Sequence, residues 1–252
     1  MKIAVVAITR HGIAMAGKVV AALPGTQLFA PEKFRAEAEA ASSSALCYAG
    51  KTGDQIPALF QAFDGIVAIV SLGAVVRLIA PHLKSKEVDP AVVVLDEGGK
   101  FAIPILSGHL GGANALAGHL ATAIGAQAVL TTASDSRETI GVDILGRELG
   151  WTLEATHDEL VRCSAAVVND EPVALVQEAG SKDWWTNHAN GRKGPKPANV
   201  TEFSKLEDID PDQFAAVLWI SLREMPTSYK TKLAGRSVTY RPTKDETAAT
   251  NQ

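Results

Sequence analysis

Apolar and polar positions run in blocks along the first half of the chain. Residues 3–9 form a β-rich apolar run. Residues 13–23 follow with helical length, many alanines and Lys18 on a polar face, and Pro24-Gly25 ends them. Residues 26–30 read as a second strand. Residues 54–63 place Ile56, Leu59, Phe60 and Phe63 at helical spacing. Residues 65–71 are a continuous apolar run of the kind a central parallel strand carries, and 74–83 read as a short helix. Residues 91–95 and 101–106 read as strands joined through Asp96-Glu97-Gly98-Gly99, a hairpin or loop signal. An Ala-rich helix over 111–124 and a buried strand over 126–132 complete the series. This rhythm predicts an α/β fold: a three-layer, doubly wound, mostly parallel sheet.

The rhythm breaks at residues 134–137. Beyond it, 140–149 read as helical, 151–152 as the start of a strand, and 157–163 as a helix fragment. Residues 165–169 and 173–177 flank Asp170-Glu171-Pro172 and read as a hairpin. Residues 214–221 form a strong strand and 237–241 a weak one. The expected organisation is an N-terminal α/β domain over residues 1–136, a smaller central α/β domain with a hairpin over 137–242, and a polar tail or linker over 243–252. Residues 179–200 lack any period, yet carry Trp184-Trp185 among Lys182, Arg192, Lys193 and Lys196. The bland reading is a surface loop. The sharper one is a lid that orders over a flat, polyanionic ligand, since tryptophan stacks and lysine pairs with carboxylates.

Composition narrows the classes. The 252 residues are 46% hydrophobic and 21% charged, which is ordinary globular usage. A net charge of −4 removes any global electrostatic reason to bind nucleic acid. Cys47 and Cys163 lie far apart and form no CxxC, so neither a disulfide framework nor a protein metal site is expected. The apolar N-terminal run stops at Arg10 without a cleavage-site region. The longest uncharged apolar stretch, 65–76, has about half the length a membrane span needs. A cytoplasmic protein with no membrane segment is expected.

Candidate chemistry sits where strands hand over to helices. Ser107-Gly108-His109-Leu110-Gly111-Gly112-Ala113-Asn114 combines glycines that allow close backbone approach with the free amides of a helix start, an anion-ready arrangement. His109 is a candidate general acid or base within it. Asp96-Glu97 offers paired carboxylates that can activate water. Gly73 opens the turn after the 65–71 strand, and Arg77, one turn into the following helix, can clamp a carboxylate. Thr131, Thr132 and Asp135 add hydroxyls and a carboxylate at a further strand end. Each cluster also has a structural reading as a tight turn, solvated turn, surface arginine or helix cap. His11 follows the first strand and is a further candidate for the same crevice. All of these are expected to converge on one edge of one parallel sheet, where ligands of such sheets bind. No GxxxxGK[ST], GxSxG or GxGxxG motif is present.

These runs, with Gly73-Ala74-Val75-Val76-Arg77-Leu78-Ile79-Ala80-Pro81, Lys84, Asp89-Pro90-Ala91-Val92-Val93-Val94, Asp96-Glu97, the Leu106-to-Asn114 segment and Thr131-Thr132-Ala133-Ser134-Asp135 in order, closely resemble the cobalt-precorrin-5A hydrolase family of anaerobic cobalamin biosynthesis. Residues from about 140 to 241 look like that family's central domain. Family members commonly carry a C-terminal domain, and the chain is expected to stop before it. The resemblance implies a cytoplasmic hydrolase that opens the δ-lactone of a ring-contracted cobalt tetrapyrrole and releases acetaldehyde. It implies no cofactor, because the cobalt arrives with the anionic substrate. It also points to a separately encoded C-terminal-type domain or neighbouring pathway enzymes as partners. On physical grounds His109 or Glu97, with Asp96 beside it, is expected to act as base. The amides of residues 111–113 are expected to hold the oxyanion, and Arg77 and Lys84 to anchor carboxylates. Ser107, Gly108, Gly111, Gly112, Ala113, Asn114, Gly73, Thr131, Thr132 and Asp135 complete the expected substrate contacts. The rival class is a non-catalytic carrier of a tetrapyrrole intermediate, which needs the glycines but neither His109 nor the carboxylate pair.

Overall fold

The apolar runs of the first half become strands, and the amphipathic stretches between them become helices. The computed structural model describes residues 1–186 and 194–243 and divides into two units, Met1–Leu130 and Thr131–Gln252. The division falls a few residues before the expected boundary at 136. Of the expected tail over 243–252, residues 244–252 lie outside the described residues.

The first unit runs β1 (Ile3–Ala7), α1 (Arg10–Ala22), β2 (Gln27–Pro31), α2 (Arg35–Ala41), β3 (Leu46–Tyr48), α3 (Ile56–Ala62), β4 (Gly65–Ile69), α4 (Leu72–Ile79), β5 (Ala91–Leu95), β6 (Phe101–Leu106), α5 (Ala113–Ile124) and β7 (Gln127–Ala128). Its sheet has the order β3-β2-β1-β4-β5-β6-β7. Strands β1 to β5 are mutually parallel. Every residue of β4 and β5 is buried, because both sheet faces are covered. Val5, Val67, Ile69, Val93 and Leu95 pack under α1, α2 and α5. Ala4, Val6, Ile66, Val92 and Val94 pack under α3 and α4. Each fully buried valine or leucine of this kind contributes about 1.5–3 kcal/mol. The expected three-layer, doubly wound sheet is thus observed. Two elements were not legible as such, α2 and the three-residue strand β3. The expected 126–132 strand shrinks to the two residues of β7.

One turn decides what this sheet delivers to which edge. The Asp96 carboxylate accepts from the amides of Gly98 (3.0 Å), Lys100 (2.8 Å) and Phe101 (2.6 Å), and Gly99 takes the left-handed conformation (φ +66°). The chain reverses there, so β6 runs antiparallel to β5, and β7 runs parallel to β6.

The second unit contains α6 (Ala133–Ser136), β8 (Thr152–Glu154), α7 (His157–Val168), β9 (Val173–Gln177), β10 (Val200–Phe203), β11 (Ala216–Ile220), α8 (Thr227–Lys232) and β12 (Ser237–Arg241). Its described strands form a sheet of order β10-β9-β11-β12-β8, parallel except for β8. The expected hairpin of 165–177 is not formed. Residues 165–168 continue α7, whose start is fixed by a Thr156–Glu159 capping box, and Cys163, Ala166 and Val167 bury one face of it. Asp170 (φ +59°) then turns the chain into β9. Residues 140–149 are not the expected helix either. Gly146 (φ +72°) and Gly150 (φ +75°) wrap the chain around Trp151, leaving only a 3-10 turn at Arg147–Leu149. A Cβ on Gly146 would sit 2.0 Å from the Trp151 ring.

Candidate active site

In the first unit the chain leaves β1 toward β2 on one side and later returns to β4 on the other. The carboxyl ends of β1 and β4 therefore flank the point where strand order reverses, the usual place for a ligand crevice in open α/β sheets. A cavity of about 560 Å³ opens there. Ile8 and Thr9 line it from the end of β1, and Ile69, Val70, Ser71, Leu72 and Ala74 from the β4–α4 handover. Val94, Asp96 and Glu97 line it from the end of β5, and Phe101 and Ile103 from β6. Most of this lining is apolar. Leu72 and Phe101 are large hydrophobic side chains left 40% and 44% exposed at the same mouth, so a ligand with an apolar surface is favoured there.

The polar groups are few and specifically held. Thr9 caps α1: its Oγ1 accepts from the Gly12 amide at 3.0 Å and donates to the Glu97 carboxylate. Asp96 is occupied by the three amides of its own turn, which leaves Glu97, exposed at the cavity wall, as the carboxylate available for chemistry. Ser71 caps α4 through its backbone. Its carbonyl accepts from Ala74 (2.9 Å) and Val75 (3.1 Å), while its side chain makes no capping bond. The amides of Leu72 and Gly73 precede the first intrahelical bonds of α4, at a helix start with partial positive charge.

The expected single edge is not what forms. Because β6 runs antiparallel to β5, the segment Ser107 to Asn114 emerges at the opposite edge of the sheet, beside the start of β1 and the approach to β5. Ser107 Oγ donates to the Asp89 carbonyl at 2.8 Å, and a Cβ on Gly112 would meet Met1 Cε at 2.9 Å. Lys84 lies at that edge too, its amide donating to the Asp89 carboxylate (2.9 and 3.1 Å). The five residues of β5 alone put roughly 16 Å between the two edges. His109 and Glu97 therefore do not meet across one cleft. Two of the three amides expected to hold an oxyanion are already engaged: Gly112 donates to the His109 carbonyl (3.0 Å) and Ala113 to the Ser107 carbonyl (3.1 Å). Gly111 is required for packing, since a Cβ there would lie 2.3 Å from Ser107 Cβ.

Of the other expected residues, Gly73 and Arg77 are near the crevice on α4, but the Arg77 guanidinium folds back to the Gly73 carbonyl at 2.9 Å. His11 is exposed on the first turn of α1. Thr131, Thr132 and Asp135 belong to the second unit, where the Thr132 hydroxyl donates to the Asp135 carboxylate at the start of α6. The expected lid is also overturned. Trp184 and Trp185 are 2% and 6% exposed and sit in the second unit's core. Their indole nitrogens donate to Gln177 Oε1 (3.1 Å) and the Gly194 carbonyl (2.8 Å). Arg192 and Lys193 lie outside the described residues. Thr9 was missed at the sequence level, although a threonine at the end of an apolar run and just ahead of a helix is a capping signal.

Comparison with known proteins fits this division. A family model described as "Cobalamin synthesis G N-terminal" matches residues 54–135, and one described as "Cobalamin biosynthesis central region" matches residues 140–242. The chain belongs to the cobalamin synthesis G family. Ser71, Asp96, Glu97 and Phe101 fall inside the family's N-terminal region, and Thr9 precedes it. The chain is 39% identical over 239 residues to a protein of Priestia megaterium named cobalt-precorrin-5A hydrolase, covering 95% of this chain and 62% of that one. A Salmonella typhimurium LT2 protein of the same name is 31% identical over 222 residues, covering 88% and 58%. The chain thus spans about three fifths of the length of these relatives. A solved structure of a cobalamin biosynthesis protein G homolog from Sulfolobus solfataricus aligns with 96% of this chain and 60% of its own, at 21% identity and a TM-score of 0.47. Among the described residues no helix is long and apolar enough to cross a membrane.

Proposed function

We propose that the chain acts as a cobalt-precorrin-5A hydrolase, with the crevice at the carboxyl ends of β1, β4 and β5 as the place where water is activated. The observation that carries this is a carboxylate, Glu97, held by Thr9 at the wall of an apolar cavity at the sheet's reversal point. Kinship over 95% of the chain to a protein named for that activity supports the substrate class.

In this reading Leu72 and Phe101 contact the apolar face of the macrocycle. Glu97 takes a proton from water as the water oxygen adds to the lactone carbonyl carbon. The Leu72 and Gly73 amides, at the start of α4, stabilise the oxyanion. Collapse breaks the ring C–O bond, and the proton held by Glu97 goes to the departing oxygen, leaving a carboxylic acid and a hydroxyl. Loss of that hydroxyl's proton forms the aldehyde C=O as the C–C bond to the macrocycle breaks. The electron pair passes to the macrocycle, which takes up a proton, and acetaldehyde leaves. The reaction draws on water alone, and the cobalt is part of the substrate. The purified chain, incubated with cobalt-precorrin-5A, is expected to release one acetaldehyde per macrocycle. Tight binding without acetaldehyde would establish the carrier reading instead.

A further inference from the structure

We propose that Thr9 is the positioning residue for Glu97, holding its carboxylate against the crevice; this rests on the reading of Glu97 as the base. Glu97 is the exposed second residue of a turn whose other carboxylate is locked by three amides. A glutamate in such a place ordinarily samples many rotamers. Here its Oε1 accepts a hydrogen bond from the Thr9 hydroxyl, 88 positions earlier in the chain. The hydroxyl is itself oriented, because its lone pair accepts from the Gly12 amide at 3.0 Å. With that acceptor direction filled, the O–H has Glu97 as its recipient.

Gly12 makes this geometry possible. A Cβ at that position would lie 3.0 Å from Thr9 Oγ1 and 3.4 Å from Ile69 Cγ2, crowding both the hydroxyl and the floor of the crevice. The chain Gly12 amide, Thr9 hydroxyl, Glu97 carboxylate thus ties the base to the first turn of α1, a 13-residue helix packed on the sheet. Holding a reacting group within about 1 Å of its productive position is worth on the order of 10²-fold in rate.

Thr9 also caps α1, so the test must separate capping from positioning. Thr9→Asp keeps the cap, since aspartate is a strong N-cap, but its ionised side chain has no proton to give and repels Glu97. Thr9→Ser keeps both functions, and Thr9→Val loses both. The expected results for Thr9→Asp are an unchanged melting temperature, acetaldehyde turnover reduced about 10–10²-fold in kcat with KM within about 3-fold, and a Glu97 side chain swung away from residue 9 in its crystal structure. Thr9→Ser is expected to restore turnover to within about 3-fold. Adding Glu97→Gln to Thr9→Asp should lower the rate less than Glu97→Gln does alone. If Thr9→Asp turns over like the parent while Glu97→Gln is dead, Thr9 does not position the base. If Glu97→Gln is itself fully active, the reading of Glu97 fails. The crystal structure of the Thr9→Asp variant decides the positioning claim separately: a Glu97 carboxylate that stays in place beside the substituted side chain overturns it.

Discussion

Trp184→Ala probes the most consequential difference between the pattern-based expectation and the structure. A lid tryptophan would be removable at little cost to folding. The observed indole is 2% exposed, packs edge-on against Trp185 with ring centroids 5.9 Å apart, and has Lys196 Nζ 5.0 Å from its ring. Emptying a fully buried tryptophan site costs about 3–5 kcal/mol. The lost hydrogen bond adds to this, because Gln177 Oε1 loses its partner while Gln177 Nε2 still donates to the carbonyls of Ala179, Gly180 and Ser181. We therefore expect a loss of about 4 kcal/mol. With a urea dependence of about 2 kcal/mol per molar for a unit this size, the midpoint should fall by about 2 M. The assay is clean, because all four tryptophans, Trp151, Trp184, Trp185 and Trp219, lie in the second unit, so their emission reports that unit alone. A midpoint shift below about 0.5 M with an unchanged slope would refute the core assignment and reinstate the lid.

Three further outcomes are expected. Gly111→Ala should destabilise the first unit by about 3 kcal/mol, since its Cβ would meet Ser107 Cβ at 2.3 Å and the Ser107 carbonyl at 2.8 Å; a calorimetric transition silent in tryptophan emission would report it, and an unshifted one would sink the packing argument. For Glu178, burial alone pushes the carboxyl up, but the Arg223 fork (2.6 and 2.8 Å) and the Leu206 amide (2.9 Å) outweigh it and hold the group down at about 2. A lowered folded-state value means stability that is present above the ordinary glutamate range near 4.5 and lost as pH falls toward 2, worth about 1–2 kcal/mol given the partly exposed arginine; Glu178→Gln should flatten that part of the second unit's acid unfolding curve, and an unchanged curve would contradict it. Arg77→Ala should leave the folded structure intact, since the guanidinium bonds an exposed carbonyl, that of Gly73, and a drop in melting temperature beyond a few degrees would be contrary.

The central strands were legible because burial on both faces writes a continuous apolar run, as in β4 and β5. Helix α1 was legible from its length and the Pro24-Gly25 stop. Strand direction was not, because it is set by pairing between distant segments. The Asp96-to-Gly99 turn reads as a hairpin, yet a hairpin reverses the chain. The segment after β6 must then leave at the other edge, which separates His109 from Glu97. Residues 165–168 are two alanines and two valines, a composition that suits a strand or a buried helix face equally, and the capping box upstream decides for the helix. The tryptophan pair misleads because polar neighbours in sequence say nothing about the apolar cluster of Trp151, Leu175, Leu218 and Tyr240 waiting for it in space. Strand β10 was hidden by its half-exposed edge position. Thr9 was overlooked because its partner Glu97 is brought beside it only by the parallel pairing of β1, β4 and β5.

The most direct measurement is acetaldehyde release from cobalt-precorrin-5A by Glu97→Gln and His109→Ala, each compared with the parent chain under identical conditions. Glu97→Gln is nearly isosteric and removes the charge and the ability to accept a proton. The account predicts a fall of about 10²–10⁴-fold for Glu97→Gln, the scale of a general base, and a loss of less than about 10-fold for His109→Ala, whose side chain belongs to the opposite edge. Parent-like turnover by Glu97→Gln together with an inactive, folded His109→Ala would contradict it and move the chemistry to the Ser107-to-Asn114 edge.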